Sequence, residues 1–217
     1  MNPRVKICCI ASEDEAKMAI QFGAAAVGLV AAMPSGPGPI ADYRIRRIAE
    51  SVPPPVATFL LTCETRGGAI IAHHLRTLTS AIQLVDTPEA DAIGTLRAIL
   101  PAVKIVQVIH VRGEAAIDEA LRAADRVDAL LLDSGNPSLA IKELGGTGRA
   151  HDWRLSRRIV EQSPAPVFLA GGLHAGNIRA AIDAVRPFGV DLCSGVRTGG
   201  RLDPKKLEAF FREVENA

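Results

Sequence analysis

Aromatic residues are scarce in this chain of 217 residues, which has six Phe, one Trp and one Tyr. So few rings leave little material for a stacking platform around an aromatic ligand. An excess of charge of either sign is also missing. Lys and Arg number 25 against 24 Asp and Glu, a formal net charge of +1. That balance provides no electrostatic footprint for nucleic acid or an anionic membrane. Long apolar runs are absent: the longest nearly uninterrupted one, Phe22 to Met33, falls well short of the ~20 residues a membrane helix needs. Met1-Asn2-Pro3-Arg4 leads straight into Val5-Lys6-Ile7, without the apolar core of a signal peptide. Four irregularly spaced cysteines, Cys8, Cys9, Cys63 and Cys193, make no disulfide scaffold. These absences predict a reduced, cytoplasmic protein with neither nucleic acid nor membrane as partner.

What is present is a regular alternation of two periods. Eight short runs rich in Val, Ile and Leu recur: Val5–Cys8, Ala26–Val30, Val56–Leu61, Ala81–Val85, Val103–Val111, Val127–Leu132, Val167–Ala170 and Val190–Cys193. Most are continuous rather than alternating, as parallel strands buried on both faces require. Between them lie segments with helical spacing. Ser12 and Glu15 form a capping box, with Glu13 and Asp14 in the first turn and Gly23 at the end. Ile45, Ile48, Ala49 and Val52 follow the spacing of a buried stripe, as do Ile117, Ala120, Leu121, Ala124 and Ile178, Ala181, Ile182, Val185. Asp203 and Pro204 open a last helix with the stripe Leu207, Phe210, Phe211, Val214. Weaker signals mark helices at Ile70–Leu78 and Ala90–Leu100, and a short one near Leu155–Gln162.

Eight strand–helix units without an intervening linker predict one domain over residues 1–217, a closed (β/α)₈ TIM barrel. A doubly wound open sheet is the competing architecture. The first strand runs into Cys8-Cys9-Ile10-Ala11-Ser12, however, and carries no G-x-G-x-x-G.

The barrel directs attention to the C-terminal strand ends and the loops after them. At the end of the first strand, Cys8 shares a face with Lys6, whose ammonium could lower the thiol pKa and make Cys8 a base or nucleophile. The alternative is that Cys8 and Cys9 are small buried hydrophobes. At the end of the sixth strand, Asp133 follows Leu130-Leu131-Leu132. A partly buried carboxyl there would have a raised pKa and could act as a general acid, although a turn-forming role is the bland alternative. Glycine clusters follow the last three strands: Gly145-Gly146-Thr147-Gly148, Gly171-Gly172 and Ser194-Gly195. Their backbone N–H groups suit an anion, and loops seven and eight are the usual phosphate site of this fold. A small phosphorylated substrate is the expected ligand. His110, near the end of the fifth strand, could reach the site; His73 and His74, adjacent on a helix, face differently. His151 and His174 read as solvated loop residues. No spacing suggests a metal centre, and no nucleophile elbow or triad signature is present.

Taken together the motifs resemble the phosphoribosylanthranilate isomerase family over the whole length. The carriers are Val5-Lys6-Ile7-Cys8 with Ser12-Glu13-Asp14, Ala26-Val27-Gly28-Leu29-Val30, Gln83-Leu84, Leu130 to Ser134, and Gly145 to Gly148. They continue with Asp152-Trp153, Leu169 to Leu173, Asn177, Val190-Asp191 and Ser194-Gly195-Val196. The resemblance implies a cofactor-free Amadori rearrangement of N-(5-phosphoribosyl)anthranilate to the 1-deoxyribulose phosphate. It makes Asp133 the general acid, Cys8 the general base, and Gly146, Gly148, Gly171, Gly172, Ser194 and Gly195 the phosphate cradle. Arg197, standing where the family has glutamate, would add a phosphate contact.

The departures from the family pattern are local. Cys9 and Ala11 replace a glycine and a threonine, and Ser35-Gly36-Pro37-Gly38-Pro39-Ile40 lacks the arginine that reads the anthranilate carboxylate. Gln83-Leu84-Val85-Asp86 replaces Gln-Leu-His-Gly, and Thr62 stands where an asparagine is expected. Arg44, Arg46 and Arg47 read as an exposed helix face. Two further readings share these residues: a paralogous isomerase of another phosphoribosyl substrate, and a non-catalytic phosphate-ligand-binding barrel. Monomer and homodimer are both open.

Overall fold

The computed structural model describes residues 2–144 and 151–217. Eight parallel strands close into a barrel in chain order, β1 (Arg4–Ile7), β2 (Ala26–Val30), β3 (Ala57–Thr62), β4 (Ala81–Leu84), β5 (Lys104–His110), β6 (Ala129–Asp133), β7 (Val167–Leu169) and β8 (Gly189–Leu192). Every apolar run of the sequence has become a strand, and β8 returns to pair with β1 through Lys6 opposite Asp191 and Ile7 opposite Leu192. The helices are α1 (Glu13–Gln21), α2 (Asp42–Ser51), α3 (Gly67–Thr77), α4 (Ala92–Ile99), α5 (Ala115–Ala124), α6 (Trp153–Gln162), α7 (Ile178–Val185) and α8 (Pro204–Glu215). No helix among the described residues is long and apolar enough to cross a membrane.

Strand alternation divides the apolar residues into two cores. Outward-facing Ile7, Val27, Leu29, Leu60, Ile82 and Leu132 join the helix stripes in a shell between sheet and helices. Inward-facing Val106, Val108, Leu131, Phe59 and Phe168 fill the barrel, with the two rings edge to face at 6.2 Å. The inner residues are those whose continuation toward the mouth reaches the site.

The helix ends follow their local chemistry. Ser12 caps α1 by accepting from the Glu15 amide, and Asp203 caps α8 by accepting from the amides of Lys205 and Lys206. Half of the expected capping box differs. The Glu15 carboxylate accepts from Ala11 N at 3.0 Å and is gripped by Arg197, so it serves the tertiary fold as well as its own helix. The helix near Leu155 is not short: capped by Asp152, it runs 10 residues, as long as α2 and α5. Its N-cap Asp152 stands three residues before Leu155.

Candidate active site

Inside the barrel the first polar layer is an ion pair. Lys6 is completely buried, with Nζ 2.8 Å from Asp191 Oδ1 and 5.3 Å from the centre of the Phe59 ring. The pairing of β1 with β8 places the two side chains in register. Burial works against the Lys6 ammonium, but the Asp191 carboxylate and the Cys8 and Cys9 thiols hold its pKa above the usual value. Burial pushes Asp191 upward, toward its neutral form; Lys6 pulls it back and Asp133 adds to the rise. The 2.8 Å contact decides for the ion pair, since a neutral acid would leave a buried ammonium without a counter-charge.

One step nearer the mouth, strand alternation brings Cys8 from β1, Cys193 from β8 and Asp133 from β6 to the same side. These three, with Asp191, line a single cavity at the C-terminal ends of the strands. Asp133 is 8% exposed and accepts from the Ser134 amide at 2.7 Å. Val30, Met33, Leu61, Val85 and Leu144 supply an apolar wall. Gln83 also lines the cavity, and its buried Oε1 has no hydrogen-bond partner among the described residues. That orphan acceptor is available to a donor on a ligand. None of the described lining residues is Lys, Arg or His, and none is aromatic.

Gly171, Gly172 and Ser194 line the cavity on its β7–β8 side. Gly171 and Gly172 have φ of 89° and 63°, a left-handed pair that side-chain-bearing residues rarely adopt. Gly195 stands just behind: a Cβ there would strike the Leu173 carbonyl, so its smallness lets the β7 and β8 loops approach. Gly146 and Gly148 lie outside the described residues.

Arg197 requires correction. Its guanidinium does not line the cavity; it holds the Glu15 carboxylate at 3.0 and 3.2 Å and the carbonyls of Cys8 and Cys9 at 3.3 and 2.6 Å. It clamps the end of β1 to α1 and the segment before α8. An arginine facing a carboxylate and two carbonyls has both terminal nitrogens committed, which a position next to a glycine turn does not reveal.

The histidines separate similarly. His110 bonds the Val85 carbonyl at 3.1 Å and does not line the cavity. His151 is half-buried rather than free in solvent: its Nε2 lies 2.7 Å from Ser156 Oγ, and burial holds its pKa below the usual value against the pull of Asp133. His174 is exposed, its Nδ1 accepting from the Gly176 amide. His73 and His74 are buried on α3 and face different surroundings. No group of three metal-ligating side chains occurs among the described residues. Sequence reasoning gave no role to Asp191, Gln83, Cys9 or Cys193 in the cavity. Counting back in twos from Cys193 reaches Asp191, whereas Cys9, of the parity opposite to Lys6 and Cys8, enters the cavity only through its left-handed turn.

A closed parallel barrel that brings a thiol and a carboxyl group to one cavity at its C-terminal mouth defines the class: a (β/α)₈-barrel protein with the layout of an enzyme. The family model for N-(5'-phosphoribosyl)anthranilate (PRA) isomerase matches residues 5–213, and the chain belongs to that family. It is 37% identical over 216 residues to the N-(5'-phosphoribosyl)anthranilate isomerase of Desulforudis audaxviator, covering 98% of each chain. Among solved structures it is similar to the N-(5'-phosphoribosyl)anthranilate isomerase of Pyrococcus furiosus, with a TM-score of 0.82, 28% identity, and coverage of 99% and 100% of the two chains. A phosphoribosyl anthranilate isomerase in complex with reduced 1-(o-carboxyphenylamino)-1-deoxyribulose 5-phosphate superposes with a TM-score of 0.79 at 28% identity, covering 99% and 100%.

Proposed function

We propose that this chain is a phosphoribosylanthranilate isomerase whose acid and base are Asp133 and Cys8. The observation that carries the reading is that a carboxyl group from β6 and a thiol from β1, on well-separated strands, face one cavity bordered by Gly171, Gly172 and Ser194. Those backbone amides would anchor the substrate phosphate and hold the ribose between the two groups. Asp133 gives its proton to the ribose ring oxygen, the C1′–O bond breaks, and the anomeric carbon becomes a protonated Schiff base. Cys8 then removes the proton from C2′, the electron pair flows into the iminium, and an enolamine results. Tautomerisation to the ketone completes the isomerisation without gain or loss of atoms. The shielded carboxyl and thiol would contribute as acid and base, typically ~10²–10⁴-fold each. A cytoplasmic location fits the four free cysteines.

The test is a steady-state assay with phosphoribosylanthranilate on wild type, Cys8→Ala and Asp133→Asn. Turnover by wild type that collapses in both folded variants supports the reading. A folded wild type without turnover removes it.

One observation favours a second reading in which the chemistry stays and the aglycone carries no carboxylate. Among the described residues the cavity wall holds no cation, and Pro37 stands where the family has an arginine. Installing Pro37→Arg should then lower KM for phosphoribosylanthranilate several-fold; an unchanged KM counts against it.

A further inference from the structure

Three thiols converge where β1 meets β8. Cys8 N donates to the Leu192 carbonyl at 2.9 Å, which extends the strand pairing by one residue and sets Cys8 beside Cys193. Cys9 then turns back through φ of 61°, a left-handed conformation uncommon for a residue with a side chain. This conformation is stabilised from both sides. The Cys9 thiol donates to the Pro37 carbonyl at 3.6 Å, and Arg197 binds the Cys9 carbonyl at 2.6 Å. Gly38 lies so close that a Cβ on it would come within 2.6 Å of the Cys9 Cβ. The loop without side chains at Gly36 and Gly38 therefore makes room for a cysteine at position 9. Cys8, Cys9 and Cys193 all line the mouth cavity.

Cys9 and Cys193, which line the same cavity at the meeting of β1 and β8, differ in character. Contact with the Cys193 and Cys8 thiols, together with burial, holds Cys9 far above its usual pKa, so it keeps its proton. The neighbouring Cys9 thiol and the Arg197 charge favour ionisation of Cys193, burial opposes it, and its pKa falls below the usual value. A thiol whose ionisation is eased beside one that holds its proton is the arrangement of a reactive cysteine and its resolving partner. Nothing in the proposed rearrangement uses either.

We propose that Cys9 and Cys193 form a thiol–disulfide modification site at the barrel mouth, taking a hydroperoxide as oxidant. The Cys193 thiolate attacks one peroxide oxygen, the O–O bond breaks, and hydroxide leaves as Cys193 becomes a sulfenic acid. The Cys9 sulfur then attacks the Cys193 sulfur. The S–O bond breaks, and the hydroxyl leaves as water with the Cys9 proton. Overall two thiols and one hydrogen peroxide yield one disulfide and two waters. The new bond ties the loop after β1 to the end of β8 and rewrites the cavity wall between Cys8 and Ser194.

The site is independent of the isomerase reading, because it can be read without substrate. The reduced full chain is treated with hydrogen peroxide, and its intact mass is followed before and after dithiothreitol. The expected result is the loss of two hydrogens, reversed by reductant, with residues 7–17 and 180–197 recovered as one cross-linked tryptic fragment. Cys8 and Cys9 share that fragment, so variants assign the partner. Cys193→Ser and Cys9→Gly should both abolish the mass loss, while Cys8→Ser and Cys63→Ser keep it. Glycine suits the left-handed backbone at position 9, which keeps that variant folded. Mass loss that persists in Cys9→Gly, or oxygen adducts without any mass loss in wild type, would overturn the proposal. An unmodified wild type under peroxide that oxidises a small reference thiol would overturn it too.

Discussion

Two polar networks lie on opposite faces of the same barrel wall. On the inner face are the Lys6–Asp191 pair with Cys8 and Asp133 above it. On the outer face, Thr62 Oγ1 is 2.9 Å from His73 Nδ1, and His73 Nε2 is 3.2 Å from Asp42. Arg76 donates to the other oxygen of Asp42 at 2.6 Å. By residue type the outer set looks the more catalytic: a hydroxyl, an imidazole and a carboxylate in a hydrogen-bonded chain. Yet Thr62 is fully buried between β3 and the helices, while its neighbour Leu61 faces the cavity. In a barrel, the face on which a side chain falls decides whether it can meet a ligand, and the chemistry it carries comes second.

The largest effect that tests this contrast is on turnover. Cys8→Ala and Asp133→Asn should each lower kcat by ~10²–10⁴ with an unchanged circular dichroism spectrum. Thr62→Val should leave kcat within a few-fold, and an equal loss there would erase the distinction between the two faces. Next in size is the stability of the inner ion pair. Asp191→Leu strands the buried Lys6 ammonium and should cost about 3–5 kcal/mol in urea unfolding, most of it recovered when Lys6→Met is added.

On the outer face, His73→Ala removes the ring partner of the buried Thr62 hydroxyl and one contact of the half-buried Asp42, and should cost about 1–3 kcal/mol of stability while kcat/KM holds. A smaller effect is pH-dependent. Burial opposes the Asp42 charge, but the Arg76 hydrogen bond and His73 outweigh it and keep the carboxyl below its ordinary 3.8. A pKa lower in the folded state than in the unfolded one contributes stability in full above about pH 4, lost as pH falls through the folded value. Wild type should therefore lose more Tm below about pH 4 than Asp42→Asn does. The smallest change is expected at Cys9→Gly. Relief of a left-handed backbone, worth roughly 1–2 kcal/mol, is offset by about 0.5–1 kcal/mol of added chain entropy and by lost thiol contacts, so Tm should barely move.

Much of the fold was legible in the residues. Val, Ile and Leu in continuous runs mark strands buried on both sides, and each of the eight runs became one. Ser12, Asp203 and Pro204 mark helix starts because capping depends on groups within three residues of one another. The site was legible in part. Cys8, Asp133, Gly171, Gly172 and Ser194 stand at strand ends, and the barrel architecture brings them to one mouth. Arg197 and His151 were misread, because what an arginine grips or a histidine packs against depends on residues distant in sequence.

Local order in the chain is enough to specify strands, helices and their alternation, since periodicity and capping are short-range properties. An alternation of eight units must bury both sheet faces, which an open doubly wound sheet does as well as a closed barrel, and the pairing of β8 with β1 decides for closure. Partnership among polar groups obeys a different rule. Lys6 meets Asp191 across 185 residues, and Arg197 meets Glu15 across 182. Those pairings exist only when β8 closes on β1, and closure is also what turns one network toward the cavity and leaves the other sealed behind the wall.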